Sequence, residues 1–286
     1  MSRIAYVNGQ YVPHRNAAVH VEDRGYQFAD GIYEVCEVLN GRLVDEPLHM
    51  ARLERSLSEL EIALPMPTPA LKHIMKETVR RNRVDDGLVY VQVTRGAAPR
   101  DHLFPDPSTT KPAVVITAKS SNRQAADAKA EVGVGVITLP DNRWERVDIK
   151  SVSLLPNAIA KQKAKEAGAY EAWFVDKDGF VTEGSSTNAW IVDGEGTLIT
   201  RPAESGILRG ITRTVVMRLA EKQGVTIKEE AFSVEDAYRA REAFITAAST
   251  IVMPVVSIDD VTVGNGHPGS IARALRAEFH TMAHVA

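Results

Sequence analysis

The sequence predicts an α+β protein that consists of two mixed α/β domains. Three observations lead to this class: a length of 286 residues, a balance of 44% hydrophobic and 25% charged residues, and strand-type and helix-type segments that alternate along the chain. The length exceeds that of one small domain, and the composition is typical of globular proteins. The polar run Lys119–Lys129 lacks a strand pattern. We therefore expect an N-terminal domain at 1–118, a linker at 119–131 and a C-terminal domain at 132–286.

In the N-terminal domain, the sequence predicts two hairpins, two helices and two further strands. Asn8-Gly9 and Asn40-Gly41 favour tight hairpin turns because both residue types accept positive φ angles. Leucines recur at helical spacing between residues 53 and 64, and Thr68 with Pro69 suits the start of a second helix. The predicted strands are Ile4–Val7, Gln10–Val12, Tyr33–Leu39, Arg42–Val44, Leu88–Thr94 and Ala113–Thr117, and the helices are Pro47–Ile62 and Thr68–Asn82.

The C-terminal domain repeats this mixture of strands and helices. Asp176-Lys177-Asp178-Gly179 is a hairpin turn with glycine in the last position. The predicted strands are Val132–Thr138, Val147–Leu154, Glu171–Val175, Phe180–Glu183, Asn188–Val192, Thr197–Thr200 and Phe244–Thr246, and the helices are Asn157–Glu166, Gly210–Lys222 and Ser270–His284.

Charge and cysteine content argue against several classes of function. The net charge is −3 and the pI about 6.3, without the dense basic patch that nucleic-acid binding requires. The single cysteine, Cys36, offers neither an internal disulfide nor a zinc-binding spacing, so we expect no metal. The N-terminus lacks the apolar core of a signal peptide, and no segment reaches the length of a membrane span. We expect a cytoplasmic protein without a nucleic-acid or membrane partner.

The first chemical signal is a lysine in the predicted strand Val147–Leu154. Val147 and Ile149 share one face of this strand, and Lys150 lies on the other. A buried lysine is costly unless it is paired or neutral, and an active-site lysine avoids the cost by losing its proton or forming an imine. The alternative is an ordinary lysine of an edge strand, exposed to water.

Two further signals are polar segments beside apolar ones. Val181–Asn188 places Glu183 at the end of a strand, followed by glycine and three hydroxyl residues. Ser205–Arg213 leads into a helix whose first N–H groups and dipole could bind phosphate. Each segment also has a simpler interpretation, as a polar β-turn and as a capped helix start respectively.

Taken together and in order, these segments resemble the fold-type IV pyridoxal-phosphate (PLP) enzymes, or class IV aminotransferases. The likeness covers nearly the whole chain and is strongest to the D-amino acid aminotransferases of that group. The segments that carry it are Glu22–Glu34, Val93–His102, Asp148–Ser151 and Thr182–Ser186.

The resemblance implies a role for each of several residues that would bind the cofactor. Lys150 would bond to the PLP aldehyde as an imine and shuttle a proton during catalysis. Glu183 would face the pyridine nitrogen and keep it protonated, so that the ring acts as an electron sink. Leu208 would pack against the ring. The phosphate would be bound by Arg52, by Ile211 and Thr212 at the helix start, and by the loop that contains Ala248.

The resemblance also implies how a substrate would be recognised. Tyr33, Arg100 and His102 match the residues that bind the substrate α-carboxylate in the D-specific family, and they supply charge with several donors. The loop with Arg100 and His102 is expected to come from the neighbouring subunit, which implies a homodimer. One departure from the family is that Ala247 and Ala248 occupy positions where hydroxyl residues are usual; Ser249 or Thr250 could compensate.

The expected function is ping-pong transamination between a D-amino acid, of the D-alanine or D-glutamate class, and a 2-oxo acid such as 2-oxoglutarate or pyruvate. On the same fold, the alternatives are a branched-chain L-aminotransferase, an (R)-amine transaminase and an aminodeoxychorismate lyase. The pair Arg100 and His102 favours the D-specific reaction over these. A more distant alternative is a non-catalytic protein that only binds PLP.

Overall fold

The computed structural model describes residues 3–204 and 206–285, which fold into two compact units. Unit one comprises residues 3–122, 149–153 and 284–285. Unit two comprises 123–148, 154–204 and 206–283. Ser205, the first residue of the predicted helix-start segment, lies outside the described residues. Among those described, no helix has the length and hydropathy needed to cross a membrane.

Unit one is a sheet with two long helices packed on it. Its elements are β1 (Ile4–Val7), β2 (Gln10–Pro13), α1 (Arg24–Phe28), β3 (Gly31–Leu39), β4 (Arg42–Leu43), α2 (Glu46–Glu59), α3 (Thr68–Asn82), β5 (Gly87–Thr94) and β6 (Ala113–Ser120). In this part of the chain the strand order is β2-β1-β6-β5-β3-β4, and neighbouring strands are antiparallel. Leu53, Leu71 and Met75 bury the inner faces of the helices in the core. The bounds predicted for α3 are confirmed.

Unit two is a larger mixed sheet with helices packed against its strands. Its elements are α4 (Arg123–Val132), β7 (Val134–Pro140), α5 (Leu155–Glu166), β8 (Glu171–Val175), β9 (Val181–Gly184), β10 (Asn188–Val192), β11 (Leu198–Thr200), α6 (Ile211–Lys222), β12 (Ile227–Glu229), α7 (Val234–Tyr238), β13 (Glu242–Ala247), β14 (Ile251–Ile258), β15 (Val261–Thr262) and α8 (Ser270–Met282). The described strands run in the order β12-β11-β10-β13-β14-β7-β8-β9, and β15 pairs with β14. Trp173, Phe174 and Trp190 are fully buried.

The strand predicted at Val147–Leu154 does not form. Residues 147–148 form a turn, residue 149 is a bend, and within this stretch only Ser151 makes a β-bridge, to Ile32. Two backbone hydrogen bonds flank the bridge, from the Tyr33 N–H to the Lys150 carbonyl and from the Val152 N–H to the Gly31 carbonyl. The pairing ends there because the Lys150 N–H donates to Ser56 Oγ of α2 and not to β3. This stretch packs in unit one, whereas the sequence had predicted a lysine carried by the C-terminal domain.

The predicted linker is also different in the structure. β6 extends to Ser120, and Arg123–Val132 forms helix α4 within unit two. Alanines in this segment favour a helix, and Asp127 anchors it through an ion pair with Arg276 of α8, 2.7 Å between Oδ1 and Nη2. Polar composition alone therefore does not distinguish a linker from a surface helix.

Strand β14 was not predicted, and its apolar run contains Pro254. Proline lacks the N–H that a central strand needs. In the structure Pro254 pairs with Phe244 of β13, and the pairing with β7 begins only at Val255. Pro254 thus precedes the part of β14 that is paired on both sides.

Candidate active site

Lys150 lies beside Tyr33 on the edge of β3. Its Nζ is 4.3 Å from the centre of the Tyr33 ring. The backbone N–H of Tyr33 donates to the carbonyl oxygen of Lys150 at 2.9 Å, and the Lys150 N–H donates to Ser56 Oγ of α2 at 3.3 Å. These bonds fix the lysine backbone from two sides, so its amine and the Tyr33 phenol share one region of unit one.

Arg52 of α2 is held by a buried carboxylate. Its Nε and Nη2 donate to the two oxygens of Glu34, at 2.7 and 2.8 Å. His49 Nδ1 is 2.8 Å from the same carboxylate. Burial raises the pKa of Glu34, but the charge and hydrogen bonds of Arg52, with those of His49, outweigh burial and hold this pKa well below its ordinary value. Glu34 is therefore ionised, and it orients the Arg52 guanidinium.

Arg100 and His102 lie on the exposed loop that joins β5 to β6. Both side chains pack on Phe28 of α1. The His102 ring meets it edge to face, with centroids 5.5 Å apart, and the Arg100 guanidinium carbon is 5.2 Å from the ring centre. One aromatic side chain of unit one thus brings the two predicted carboxylate-binding residues together.

In unit two, Glu183 at the end of β9 is enclosed by hydrogen-bond donors. Arg143 Nη1 donates to Oε1 at 2.6 Å, and Asn188 Nδ2 donates to Oε2 at 3.0 Å. The backbone N–H of Leu208 is 3.1 Å from both oxygens. Only 7% of the side chain is exposed. This donor set stabilises an ionised carboxylate.

Behind Glu183, Arg143 is shared between two carboxylates. Its Nη2 donates to Asp141 Oδ2 at 2.7 Å, and Asp141 also accepts from the Thr182 hydroxyl at 2.8 Å. Burial lowers the pKa of Arg143, but Asp141 and Glu183 outweigh burial and raise this pKa above its ordinary value. The two carboxylates and one guanidinium leave this cluster with one net negative charge.

The start of α6 is connected to Glu183 through Asn188. Asn188 Nδ2 also donates to the Leu208 carbonyl at 2.9 Å. A Cβ at Gly210 would lie 2.0 Å from Asn188 Oδ1, so glycine is required for this close approach. Gly210 is also the N-cap of α6 and provides no side-chain cap. The first turn, at Ile211 and Thr212, is therefore a helix N-terminus suited to an anion.

Ala248 lies in the hairpin between β13 and β14, where Ala247 pairs with Ile251. Ser249 is exposed at the hairpin. Thr250 is 8% exposed, and its hydroxyl is a buried group without a hydrogen-bond partner among the described residues. The compensation expected from these two hydroxyls for Ala247 and Ala248 stays a prediction.

The same hairpin contains a strained residue. Ile251 has φ 57°, a left-handed conformation that is unfavourable for a β-branched side chain. Arg276 Nη1 donates to the carbonyl oxygens on both sides of it, at Thr250 (2.7 Å) and Val252 (2.6 Å). Arg276 thus stabilises a backbone shape that the sequence disfavours locally.

The sequence-predicted residues form three groups in the structure. Lys150, Tyr33 and Arg52 lie on neighbouring elements of unit one, and Arg100 with His102 lies on its β5–β6 loop. The third group, in unit two, consists of Glu183, Leu208, Ile211, Thr212 and Ala248.

Sequence reasoning did not assign a role to three residues that orient this set: Glu34, Arg143 and Asn188. Glu34 belongs to a segment that carried the resemblance, and the alternation of β3 could have indicated its burial. Arg143 lies outside regular structure, and no sequence pattern indicated it.

The amine beside a phenol in unit one, and the enclosed carboxylate and uncapped helix start in unit two, are residue types that the family resemblance predicts. Residues 31–258 match the profile of the family described as Amino-transferase class IV, and the chain belongs to this family. The sequence is 42% identical over 266 residues to the D-alanine aminotransferase of Bacillus licheniformis, covering 93% of this chain and 92% of that one. It is 38% identical over 275 residues to that of Staphylococcus haemolyticus, covering 96% of each.

The fold comparison agrees with the family. The branched-chain amino acid aminotransferase of Escherichia coli superposes with a TM-score of 0.90 at 22% identity, covering 99% of this chain and 95% of that one. This likeness concerns the fold alone. The predicted fold class and family resemblance are confirmed.

Proposed function

We propose that this aminotransferase exchanges an amino group between a D-amino acid, of which D-alanine is the first candidate, and a 2-oxo acid, with PLP as cofactor. The observation that carries the proposal is the position of Lys150 Nζ, 4.3 Å from the Tyr33 ring centre, in a chain 42% identical to a D-alanine aminotransferase. The amine provides the catalytic base, and the phenol provides a donor for the substrate.

The residues present fit PLP in their chemistry. Lys150 has the amine that an aldehyde requires, Glu183 is a carboxylate suited to a pyridinium N–H, and the uncapped start of α6 suits a phosphate. Arg52, oriented by Glu34, adds a guanidinium for the phosphate. When bound, PLP supplies the carbonyl that accepts the amino group and an electron sink for the negative charge that develops at Cα.

Each remaining step is performed by side chains of this protein. Lys150 removes the proton from the substrate Cα and returns a proton to complete the transfer. Glu183 holds a proton on the ring nitrogen, and Arg143 with Asn188 holds Glu183 in place. Leu208 would pack against the ring. Ile211 and Thr212, with Arg52 and the hairpin at Ala248, would bind the phosphate.

The substrate is oriented through its α-carboxylate. Tyr33, Arg100 and His102 bind this group by charge and hydrogen bonds. When the carboxylate is fixed on one side, only one enantiomer directs its Cα hydrogen to Lys150. This selection of the D-enantiomer distinguishes the proposed function from the branched-chain L-aminotransferase reaction on the same fold.

The proposed function predicts a strict preference between enantiomers. Purified protein loaded with PLP should transfer the amino group of D-alanine to 2-oxoglutarate, and the initial rate with L-alanine should be at least about 100-fold lower. Product formation is followed by chiral chromatography of the amino acids. Activity confined to L-alanine or to L-leucine would reject the D-specific assignment, and no transfer from either enantiomer would favour a protein that only binds PLP.

We also infer that the active enzyme is a homodimer in which Arg100 and His102 serve the site of the partner subunit. The β5–β6 loop and α1 expose large apolar side chains: Tyr26 is 77%, Leu103 76% and Phe104 58% exposed. Apolar exposure of this kind is typical of a protein interface. A cytoplasmic location also stays a prediction.

Mixed dimers test this arrangement. Lys150→Ala and Arg100→Ala proteins, each impaired alone, should regain about a quarter of wild-type activity when they are unfolded and refolded together, because half of the dimers then contain one intact site. Refolding each variant alone is the control. If Arg100 acts within its own chain, mixing restores nothing.

A further inference from the structure

The segment Glu22–Glu34 contains buried charges that the proposed function does not use, and Arg24 is one of them. Arg24, the first residue of α1, is 3% exposed. Its Nε donates to Asp30 Oδ2 at 2.7 Å. Its guanidinium carbon lies 4.7 Å from the centre of the Phe28 ring and 5.8 Å from that of Phe104. Burying an arginine beside one carboxylate and two aromatic rings costs desolvation free energy. This cost indicates a specific role for Arg24.

Arg24 also donates a side-chain hydrogen bond to the β5–β6 loop. Its Nη1 donates to the carbonyl oxygen of Asp101 at 2.6 Å. Asp101 lies between Arg100 and His102, so this bond fixes the backbone between the two residues. Phe28, which stacks near Arg24, also contacts both of their side chains. The backbone and the side chains of the loop tip are thus held by the same short helix.

A second arginine anchors the beginning of the same loop. Arg95 donates to Asp30 through Nε at 2.8 Å and Nη2 at 3.1 Å. It also donates to the carbonyl oxygens of Leu60 and Glu61 after α2, at 2.6 and 3.0 Å. Asp30 therefore joins the start of the loop, at Arg95, to its tip, through Arg24.

We propose that Arg24 is a positioning residue for substrate recognition: it holds the Asp101 peptide so that Arg100 and His102 are preorganised to bind a carboxylate. This inference rests on the proposed function, in which these two residues bind the α-carboxylate of the substrate. A loop that is already ordered loses less conformational entropy when it binds a ligand. Loss of the Arg24 bond weakens carboxylate binding without removing any group that contacts the substrate.

The test is Arg24→Lys, which keeps the charge but lacks the planar fork that reaches Asp30 and Asp101 together. KM for D-alanine should rise about 10- to 100-fold with kcat little changed, since the lost interaction is shared by ground and transition states. The matched control is Arg80→Lys on the surface of α3, where 73% of the side chain is exposed; its KM should equal that of wild type. Circular dichroism and PLP content establish that each protein is folded and loaded.

A double-mutant cycle distinguishes a positioning role of Arg24 from a general loss of protein structure. In an Arg100→Ala/His102→Ala background, Arg24→Lys should add little to KM, because its effect acts through these two residues. A full multiplicative increase in that background, or an unchanged KM in the single variant, would overturn the proposal. If Arg24→Lys does not fold, Phe28→Leu replaces it in the same cycle, with the same expected rise in KM. If wild type uses only L-alanine, the proposed function fails separately, and the same cycle with L-alanine decides this inference.

Discussion

Replacing Lys150 with alanine should lower the rate of amino-group transfer at least about 10³-fold. The amine is the only group that the proposed mechanism uses to move the Cα proton. The fold should not change, since Lys150 is held through its backbone N–H and carbonyl oxygen, which alanine retains. Single-turnover experiments with D-alanine, monitored by the absorbance of the cofactor, measure this step alone.

Lys163→Ala provides the matched control for this substitution. Lys163 lies on the exposed side of α5, so its variant should transfer the amino group at the wild-type rate. A small primary amine added to Lys150→Ala should restore part of the rate, because an external base can replace the missing one. Wild-type turnover by Lys150→Ala would remove this residue from the mechanism.

Replacing Glu183 with glutamine should lower the same rate about 100- to 1,000-fold. The amide is close to the carboxylate in size, but it carries no charge to keep a proton on the ring nitrogen. Without that proton the ring is a poorer electron sink. The amide N–H₂ must also face a donor, either Arg143 or Asn188, whose contacts to Glu183 are now 2.6 and 3.0 Å.

Measuring the PLP content of Glu183→Gln distinguishes a slower reaction from a loss of bound cofactor. We expect PLP still to be taken up, because the lysine and the phosphate-binding residues are unchanged, while the single-turnover rate falls. Glu195→Gln, in an exposed turn between β10 and β11, is the control and should behave as wild type. A fully loaded Glu183→Gln protein with an unchanged rate would show that this carboxylate does not control the ring nitrogen.

Local patterns predicted most of the fold. The bounds of α3, β8 and β10 agree with the prediction because the start residues of α3 and the apolar runs of the two strands are unambiguous. Lys150 shows the limit of such patterns. Alternating residues indicated a long strand, yet only one edge position of β3, at Ile32, pairs with it. How far two segments pair depends on tertiary contacts such as that of Lys150 with Ser56, and alternation along the sequence does not contain this information.

For the candidate site, too, the sequence predicted some residues and not others. Motifs and resemblance identified the groups proposed to act on cofactor and substrate, such as Lys150 and Glu183. They did not identify residues that orient these groups, because such contacts join distant parts of the chain. Arg143 is 40 residues from Glu183, and Arg24 is 77 residues from Asp101. Only the folded structure reveals these partners.

The proposed mechanism requires a covalent bond between the amine of Lys150 and the cofactor, and chemical trapping detects this bond directly. The purified PLP-loaded protein is reduced with sodium borohydride, digested and sequenced by mass spectrometry. We predict a single pyridoxyl group on the peptide that contains Lys150, and none after prior conversion of the cofactor to its amine form by D-alanine. A pyridoxyl group on any other lysine, or none at all, would contradict the proposed role of Lys150.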